Sequence, residues 1–286
     1  MRLIAAVLSA ALLTLGATAC GSGTEAAPAN CTPKVPDDQL VKPGTLTYAT
    51  NATLPPMQYV EGDEVVGMRI DLANELAKRL CLRTEVVNVP FDAQVPGVQG
   101  HRWDLINTGM FYTPPRAETM NLVPYEVQAV GVAVAAGNPK QIKSREDLSG
   151  RTLAVEAPGY EFDTLNLLNE QFIAQGKAPI QLRTFQTNAD AFQALSAGQV
   201  DGASIVESVM SFYQQGGRFE TVVRGMNRAP LALGFAKDRR PVADAVAAEL
   251  AAMRADGWMK SLFDEYGVSG FDGELAVTTG PLPVQQ

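Results

Sequence analysis

The sequence predicts an α/β fold with mostly parallel strands, and two observations lead to this class. First, short segments rich in β-branched and aromatic residues alternate with segments that carry helical apolar spacing, such as Leu72, Leu76 and Leu80. Second, 46% of the 286 residues are hydrophobic and 19% are charged, which is ordinary globular content. A chain of this length suggests about two domains.

The elements of the first half follow from these two patterns. The alternating and β-branched segments predict strands at 45–50, 84–89, 104–108 and 125–135. The apolar stripe predicts a helix at 71–80 with Asp71 as its N-cap, and a second helix is expected at 91–98. Thr113 and Pro114 are expected to cap and begin a third helix, because proline is well suited to the first helical position.

The second half repeats the alternation without a fixed-period repeat. Strands are predicted at 152–156, 180–185 and 200–206. Helices are predicted at 162–175, 190–197, from Glu207 onward, at 241–255 and at 257–266. The alternation of both halves is what favours parallel sheets.

The N-terminus has the pattern of an export signal. A positive start at Arg2 precedes an apolar run over 3–15, which is shorter than the roughly 20 residues that a membrane span needs. Small residues then lead into Cys20, an arrangement that resembles a bacterial lipobox, although Ala17 stands where leucine is usual. We therefore predict a signal peptide at 1–19 and lipidation of Cys20. An ordinary signal peptide cut at the same place, leaving a free thiol, is the alternative.

Residues 20–44 are predicted to be a lipid anchor and tether, because 21–30 is rich in glycine, serine, alanine and proline. Export to an oxidising compartment leaves Cys31 and Cys81 as an even pair once Cys20 carries lipid. A disulfide between them would link the tether to the end of the helix predicted at 71–80. Two unpaired thiols are the alternative.

The charge and the sparse reactive residues exclude several classes of protein. The formal net charge is −8, so the chain lacks the basic field that nucleic acid or an anionic lipid surface requires. The single histidine, His101, and the three cysteines are scattered, with no spacing typical of a metal site or a catalytic dyad or triad. We expect no metal, no cofactor and no nucleic-acid partner.

Two charged residues at predicted strand-to-helix junctions are candidates for ligand binding. Arg116 would be a cation in the first turn of a helix, where the helix dipole disfavours it unless an anion lies between them. A carboxylate could bind its guanidinium together with backbone donors near Gly109 and Met110. Glu207, at another helix start, could bind an ammonium group, and Phe91 could pack on the ligand. A surface arginine, a favourable first-turn acid and a core phenylalanine are the alternatives.

Several motifs occur in a recognisable order. They are GTLTYATN at 44–51, VGMRIDLA at 66–73, TGMFYTPPR at 108–116, DLSGR at 147–151, ALSAGQVD at 194–201 and ADG at 255–257. From Gly44 to about Gly267 the chain thereby resembles the polar-amino-acid branch of the extracellular solute-binding proteins of ABC transporters.

The resemblance implies a binding site for the α-carboxylate of an amino acid. Arg116 would hold the carboxylate, with backbone groups at Gly109, Met110 and Gly159. Tyr160 is a departure, because a threonine often helps to bind the carboxylate at this position.

The resemblance also implies contacts with the rest of the ligand. Glu207 stands where the family usually has an aspartate that binds the α-ammonium, and Phe91 matches a ring that stacks over the substrate. Asn51 matches an acidic or polar position that some members use to bind the ligand side chain. Leu54 departs from an aromatic residue, so the identity of the amino acid is not defined.

The resemblance further implies a two-lobe periplasmic-binding-protein-like (Venus-flytrap) fold with two hinge strands and the ligand in the cleft. Lobe 1 would comprise 45–132 and 236–272, lobe 2 would comprise 137–228, and 273–286 would be a C-terminal tail. The hinges are expected near 135–139 and 230–235. The implied protein is a monomer, attached to the membrane only through its lipid anchor, that delivers a small amino acid or related zwitterion to an ABC transporter permease.

Two other functions share this fold. One is an enzyme similar to cyclohexadienyl dehydratase, in which Glu207 would act as an acid, because a fold does not determine a function. The other is a ligand-sensing lipoprotein that presents its lobes to a membrane receptor. The binding function remains the main prediction, and no enzyme activity is expected.

Overall fold

The computed structural model describes residues 31–157, 159–278 and 282. The predicted signal peptide, Cys20 and residues 21–30 of the predicted tether lie outside the described residues, as does most of the tail beyond 278. In the part of the chain that is described, no helix is both long and apolar enough to cross a membrane.

The described residues form α-helices and β-strands that alternate along most of the chain. The elements of the first half are β1 Thr45–Thr50, β2 Thr53–Leu54, β3 Gln58–Glu61, β4 Glu64–Val66, α1 Met68–Leu80, β5 Arg83–Asn88, α2 Phe91–Gln99, β6 Leu105–Phe111, α3 Pro114–Thr119 and β7 Met120–Ala135. Those of the second half are β8 Thr152–Glu156, α4 Tyr160–Ala174, β9 Gln181–Phe185, α5 Asn188–Ser196, β10 Gly202–Val206, α6 Glu207–Gln214, β11 Phe219–Ala236, α7 Arg240–Ala255, α8 Trp258–Tyr266 and β12 Ser269–Gly270.

The main sheet consists of two parallel groups joined by two long antiparallel strands. Its order is β5-β1-β6-β11-β7-β10-β8-β9, and β12 pairs with β7. Strands β5, β1 and β6 are parallel to one another, and so are β10, β8 and β9. Strands β7 and β11 pair antiparallel along their length and form a ribbon. The α/β class predicted from the sequence is therefore confirmed.

The two groups attach to opposite ends of this ribbon. Strand β6 pairs with Leu231–Phe235 of β11, near the start of β7, whereas β10 pairs with Val130–Ala133, near the end of β7. The ribbon thus passes from one lobe to the other in the middle of its two strands. On β7 this passage comes earlier in the chain than the predicted hinge at 135–139, because the strand continues without a break to Ala135.

Strand β11 carries extra residues where the ribbon passes between the lobes. Thr221 pairs with Ala133 and Ala229 pairs with Gln128, so eight steps along β11 oppose five along β7. Gly225, within this bulged stretch, has a φ of 71°, which glycine adopts readily. The sequence analysis did not predict a strand at 219–229.

Each lobe has apolar residues buried against its strands. In lobe 1 the predicted stripe of Leu72, Leu76 and Leu80 is fully buried in the core. In lobe 2, Leu153 and Phe172 belong to a separate buried cluster. The burial of a leucine side chain stabilises a fold by about 1.5–3 kcal/mol, so these buried residues hold each parallel group of strands against its helices.

The start of α1 differs from the prediction. The N-cap is Gly67 rather than Asp71, and the backbone carbonyl of Gly67 accepts hydrogen bonds from Ile70 and Asp71. A Cβ atom at Gly67 would lie 2.5 Å from the carbonyl oxygen of Pro56, so only glycine fits here. Asp71 falls in the first helical turn, where its carboxylate accepts a hydrogen bond from the hydroxyl of Tyr266 at 3.1 Å.

The second part of the predicted tether packs on lobe 1. Val35 and Leu40 are buried in the core, and Lys34 forms an ion pair with Glu249 of α7. The structure joins Cys31 to Cys81, just after α1, in a disulfide with 5.5 Å between the Cα atoms. This part of the predicted tether therefore belongs to lobe 1, because its apolar side chains are buried in the core.

Candidate functional site

A cleft lies between the two lobes, where the carboxyl ends of the parallel strands meet. It is lined by residues at or just after the ends of β1, β6, β8 and β10, which is where ligands bind in open α/β sheets. In this arrangement of the lobes the free volume of the cleft is about 50 Å³, enough for a few water molecules. Small-molecule pockets have volumes of about 300–1,000 Å³, so the cleft is narrow in this structure.

The structure brings most of the residues predicted from the sequence into this cleft. Those that line it are Asn51, Phe91, Gly109, Met110, Arg116, Gly159 and Tyr160. They come from both lobes and from segments far apart in the sequence, so the strand-end positions rather than sequence proximity assemble the site.

Arg116 is the one positively charged side chain among the described residues that line the cleft. It lies in the short helix α3, which begins at Pro114 after the N-cap Thr113, as the sequence predicted. Its Nη1 atom donates a hydrogen bond to the carbonyl oxygen of Phe111 at 2.7 Å, and its Cζ atom lies 5.3 Å from the centre of the Phe91 ring. These contacts hold the planar guanidinium in place, and the geometry of such a group suits a carboxylate.

The electrostatic surroundings of Arg116 are unusual for a cation. Burial lowers the pKa of its guanidinium, and the nearby acids Glu161 and Asp163 of α4 oppose this effect. Arginine has a very high intrinsic pKa, so the side chain remains charged. A half-buried positive charge therefore faces the cleft at the position where an anionic group of a ligand would bind.

Aromatic rings meet across the cleft. Phe111, at the end of β6 in lobe 1, stacks on Tyr160, at the start of α4 in lobe 2, with ring centroids 3.9 Å apart and an interplanar angle of 16°. The hydroxyl of Tyr160 donates to the backbone carbonyl of Asn227 in the bulged stretch of β11 at 3.0 Å. The two lobes are thus in direct contact at the edge of the site.

A buried polar network lies behind Gly109. The Arg69 guanidinium donates to Glu126 at 2.9 Å and to Gln58 at 2.7 Å, and the side chain of Gln58 in turn donates to the carbonyl of Thr108. A Cβ atom at Gly109 would lie 2.7 Å from the Cζ atom of Arg69, and the φ of Gly109 is 75°. Only glycine therefore allows this wall of the cleft to lie against the network.

The network continues along the ribbon into lobe 2. Gln128 of β7 donates to Glu126 at 2.6 Å and accepts a hydrogen bond from the backbone N–H of Ser208 in α6 at 3.1 Å. Arg69 and Glu126 are almost completely buried, so they form an ion pair shielded from water. A continuous set of hydrogen bonds thus joins lobe 1, the ribbon and the first turn of α6.

Glu207 is not brought into the cleft lining, contrary to the prediction from the sequence. Its carboxylate instead accepts a hydrogen bond from the backbone N–H of Gly225 at 2.5 Å, and it is the preceding residue, Val206, that lines the cleft. The bulge in β11 supplies this N–H, and its geometry could not be predicted from the sequence. The predicted contact of Glu207 with the ligand ammonium therefore stays a prediction that this arrangement does not support.

Two other acids line the cleft, and the sequence analysis missed both. Glu156 is the last residue of β8 and Glu161 lies in the first turn of α4. Burial, together with the neighbouring Glu161, raises the pKa of Glu156 from 4.5 to about 7, and burial also raises the pKa of Glu161. The sequence did offer one indication of these two acids, because they lie at a predicted strand end and near a predicted helix start, where ligands bind in α/β folds.

Asn188, the first residue of α5, completes this side of the cleft. Its Nδ2 atom donates to the Glu156 carboxylate, and the residue is only 2% exposed. Its Oδ1 atom is buried and has no hydrogen-bond partner among the described residues. The cleft of lobe 2 therefore presents acceptor groups on one side, whereas Arg116 presents donors on the other.

Two lobes joined by a ribbon, with a charged cleft between them, define a ligand-binding protein of the two-lobe class. Residues 46–269 match the family model of bacterial extracellular solute-binding proteins, family 3. The chain belongs to this family, as the motifs at 66–73 and 108–116 predicted.

Known proteins with similar sequences and structures agree with this assignment. The probable ABC transporter arginine-binding protein ArtJ of Chlamydia trachomatis is 26% identical over 77% of this chain and 84% of its own length. The L-cystine-binding protein TcyJ of Escherichia coli is 22% identical over 78% of this chain and 82% of its own. An ancestral amino acid-binding protein, described as a precursor of cyclohexadienyl dehydratase, superposes with a TM-score of 0.70 at 26% identity, covering 78% of this chain and 95% of its own.

Proposed function

We propose that this chain is the substrate-binding component of an ABC importer, which captures an amino acid or related zwitterion outside the cytoplasmic membrane. The family assignment and the names of the relatives, which are ABC transporter and amino-acid-binding proteins, support this function. The observation that carries it is the position of Arg116, a guanidinium fixed in a cleft that residues of both lobes line.

The α-carboxylate would bind to the guanidinium of Arg116. One N–H of this group is used on Phe111, and the others can form a two-pronged contact with a carboxylate. Backbone groups of Gly109, Met110 and Gly159, which line the same cleft, would complete the carboxylate site. The Phe91 ring, which already packs on Arg116, would cover the aliphatic part of the ligand, with Asn51 and Tyr160 beside it.

Ligand release and capture would occur by bending of the ribbon. A ligand shifts the equilibrium between open and closed lobes only through contacts that it gains in the closed form. Arg116 lies in lobe 1 and Gly159 in lobe 2, so a ligand that touches both gains such contacts. We propose lobes at about 45–132 with 236–272 and at about 137–228, with bending in the middle of the ribbon, and delivery to a permease from the closed form.

We further propose that the chain acts as a monomer, held at the outer face of the cytoplasmic membrane by lipid on Cys20. The apolar run that ends in small residues before Cys20 supports this anchor. Binding without catalysis is the proposed activity, although a structural neighbour is described as a precursor of a dehydratase. Incubation with prephenate or arogenate followed by mass spectrometry tests this point, and conversion of either compound would contradict it.

The function is tested by a thermal-shift screen of the purified mature chain against the common amino acids. A ligand that binds only the folded protein raises its apparent stability, by about 2.7 kcal/mol at a concentration 100 times the Kd. We expect at least one amino acid to raise the melting temperature and to bind with one-to-one stoichiometry by calorimetry. If no amino acid binds, the proposed function is wrong.

A further inference from the structure

The two lobes touch through a pair of aromatic rings beside the candidate site. Phe111 ends β6 in lobe 1 and Tyr160 begins α4 in lobe 2, and their nearly parallel rings have centroids 3.9 Å apart. Carbon atoms in contact lie about 3.5–4.0 Å apart, so the rings touch over their faces and no group fits between them. The lobes cannot move apart without breaking this contact.

The cleft that these rings border is too narrow for an amino acid. Its free volume of about 50 Å³ corresponds to a few water molecules, whereas even the smallest amino acid brings a carboxylate, an α-carbon and an ammonium group. The approach of the lobes is not limited to the rings, since β2 of lobe 1 comes within 8 Å of α5 of lobe 2, measured between Cα atoms. The lobes are therefore closer together here than they can be around a bound amino acid.

The chain makes this narrow arrangement with its own side chains. Tyr160 packs on the buried cluster of lobe 2 and on the core cluster that contains Phe111, and its hydroxyl donates to the carbonyl of Asn227 at 3.0 Å. The ring is thus held from lobe 2 while its face covers Phe111, which is 3% exposed. No ion pair among the described residues joins the two lobes, so the contact between them is aromatic rather than ionic.

We propose that Phe111 and Tyr160 form an interlobe latch, which holds the lobes in a self-closed arrangement and competes with the amino acid for the cleft. The ligand binds only after the two rings separate, so the apparent affinity is reduced by the fraction of the protein that is latched. These two rings thereby set the affinity of the site. The latch follows from the geometry of the lobes, whereas its effect on amino-acid binding rests on the proposed function.

The first test is X-ray scattering from the mature chain, refolded from denaturant to remove any bound amino acid. Phe111→Leu and Tyr160→Leu each remove one ring and keep an apolar side chain. We expect the wild type to have the radius of gyration of the self-closed structure. Both variants should have a larger one, because loss of an aromatic pair should change the ratio of latched to open protein by about two- to tenfold.

The matched control removes a stack of the same geometry that does not cross the cleft. Tyr213 stacks on Phe192 within lobe 2, with ring centroids 3.8 Å apart and an interplanar angle of 14°. Tyr213→Leu should lower the melting temperature and leave the radius of gyration at the wild-type value. Thermal unfolding of all three variants shows whether each is folded.

The second test is calorimetric titration with L-arginine, L-histidine and L-glutamine. For each of these that binds, the Kd of folded Phe111→Leu should be lower than that of the wild type by about two- to tenfold, because less protein is latched. A substitution that only damages the fold would weaken binding, so tighter binding is not expected from a structural role alone. Tyr213→Leu should leave the Kd unchanged. Tyr160→Leu is left out of this test, because its ring is proposed to lie beside the ligand.

The latch is refuted if the wild type without ligand already has the larger radius of gyration, or if either folded ring variant stays as compact as the wild type. An unchanged or higher Kd for folded Phe111→Leu also refutes it, while amino-acid capture stands. If none of the three amino acids binds, the scattering result still decides the latch, and the thermal-shift screen decides the proposed function.

Discussion

Replacement of Arg116 by alanine is expected to weaken amino-acid binding more than any other single change in lobe 1. The guanidinium is held by the Phe111 carbonyl and the Phe91 ring, so it is already oriented when the ligand arrives. A hydrogen bond to a charged group contributes about 1.5–3 kcal/mol, and each 1.4 kcal/mol is a factor of about ten in Kd. We therefore expect the Kd to rise by about tenfold to several hundredfold.

The cost of this change to folding should be small. The contacts that are lost within the protein are the hydrogen bond to Phe111, worth about 0.5–1.5 kcal/mol, and the packing on the Phe91 ring, worth about 0.5–1 kcal/mol, and water can reach the half-buried site. Arg116→Lys should also bind poorly, because an ammonium group cannot form the two-pronged contact with a carboxylate. Arg102→Ala, at an exposed arginine after α2, is the control.

The assay is isothermal titration with the amino acid that the screen identifies, together with thermal unfolding of each variant. A folded Arg116→Ala protein with an unaltered Kd would refute the assignment of Arg116 to the carboxylate. The same conclusion would follow if every ligand found by the screen lacked a carboxylate.

Three further predictions concern stability and attachment. Because the folded-state pKa of Glu156 is raised from 4.5 to about 7, its contribution to stability is fully present below pH 4.5 and is lost as the pH rises through 7. The difference in unfolding free energy between the ligand-free wild type and Glu156→Gln should therefore fall over this range by at most about 1.4 kcal/mol per pH unit, and a flat difference would contradict the raised pKa. The exported protein should partition into detergent while Cys20→Ala does not, and equal solubility with no lipid mass would argue against the anchor. Peptide mapping without reductant should recover a peptide pair that links Cys31 to Cys81, and two alkylated thiols would contradict this disulfide. Loss of the disulfide should lower the free energy of unfolding by about 2–4 kcal/mol and leave ligand binding intact.

Local patterns in the sequence were sufficient for much of the fold. The leucine stripe of α1 and the strands at 45–50 and 152–156 were predictable, because apolar periodicity and β-branched composition directly reflect which side is buried. The strand over 219–229 was not predictable, because arginines, asparagine and glycine interrupt it and its pairing depends on β7. The N-cap of α1 was also misplaced, because an aspartate in a first turn is favourable whether or not it caps the helix.

The site shows the same division between local and distant causes. The position of Arg116 followed from the threonine–proline start of its helix, which is a local signal. The orientation of Glu207 depends on Gly225, 18 residues away in a bulge, so its local pattern was misleading. Glu156 and Glu161 resemble the acids of any strand end and helix start, and only the approach of the two lobes brings both of them into the same cleft as Arg116.

The bulged stretch of β11 has a consequence for how the lobes can move relative to each other. Its extra residues lie opposite β7, which continues without a break between the lobes. Amide protons of β7 should therefore exchange slowly with solvent in this region, whereas those of 224–228, where the pairing is irregular, should exchange faster. Three hydrogen bonds join this stretch to lobe 2. Gly225 donates to Glu207, the Asn227 carbonyl accepts from Tyr160, and the Asn227 side chain donates to Thr164. Tyr160 also stacks on Phe111 of lobe 1. A ligand that restricts the motion of Tyr160 should therefore also slow hydrogen exchange in the bulge. The rate of deuterium uptake at 224–228 would then report whether a ligand is bound in the cleft.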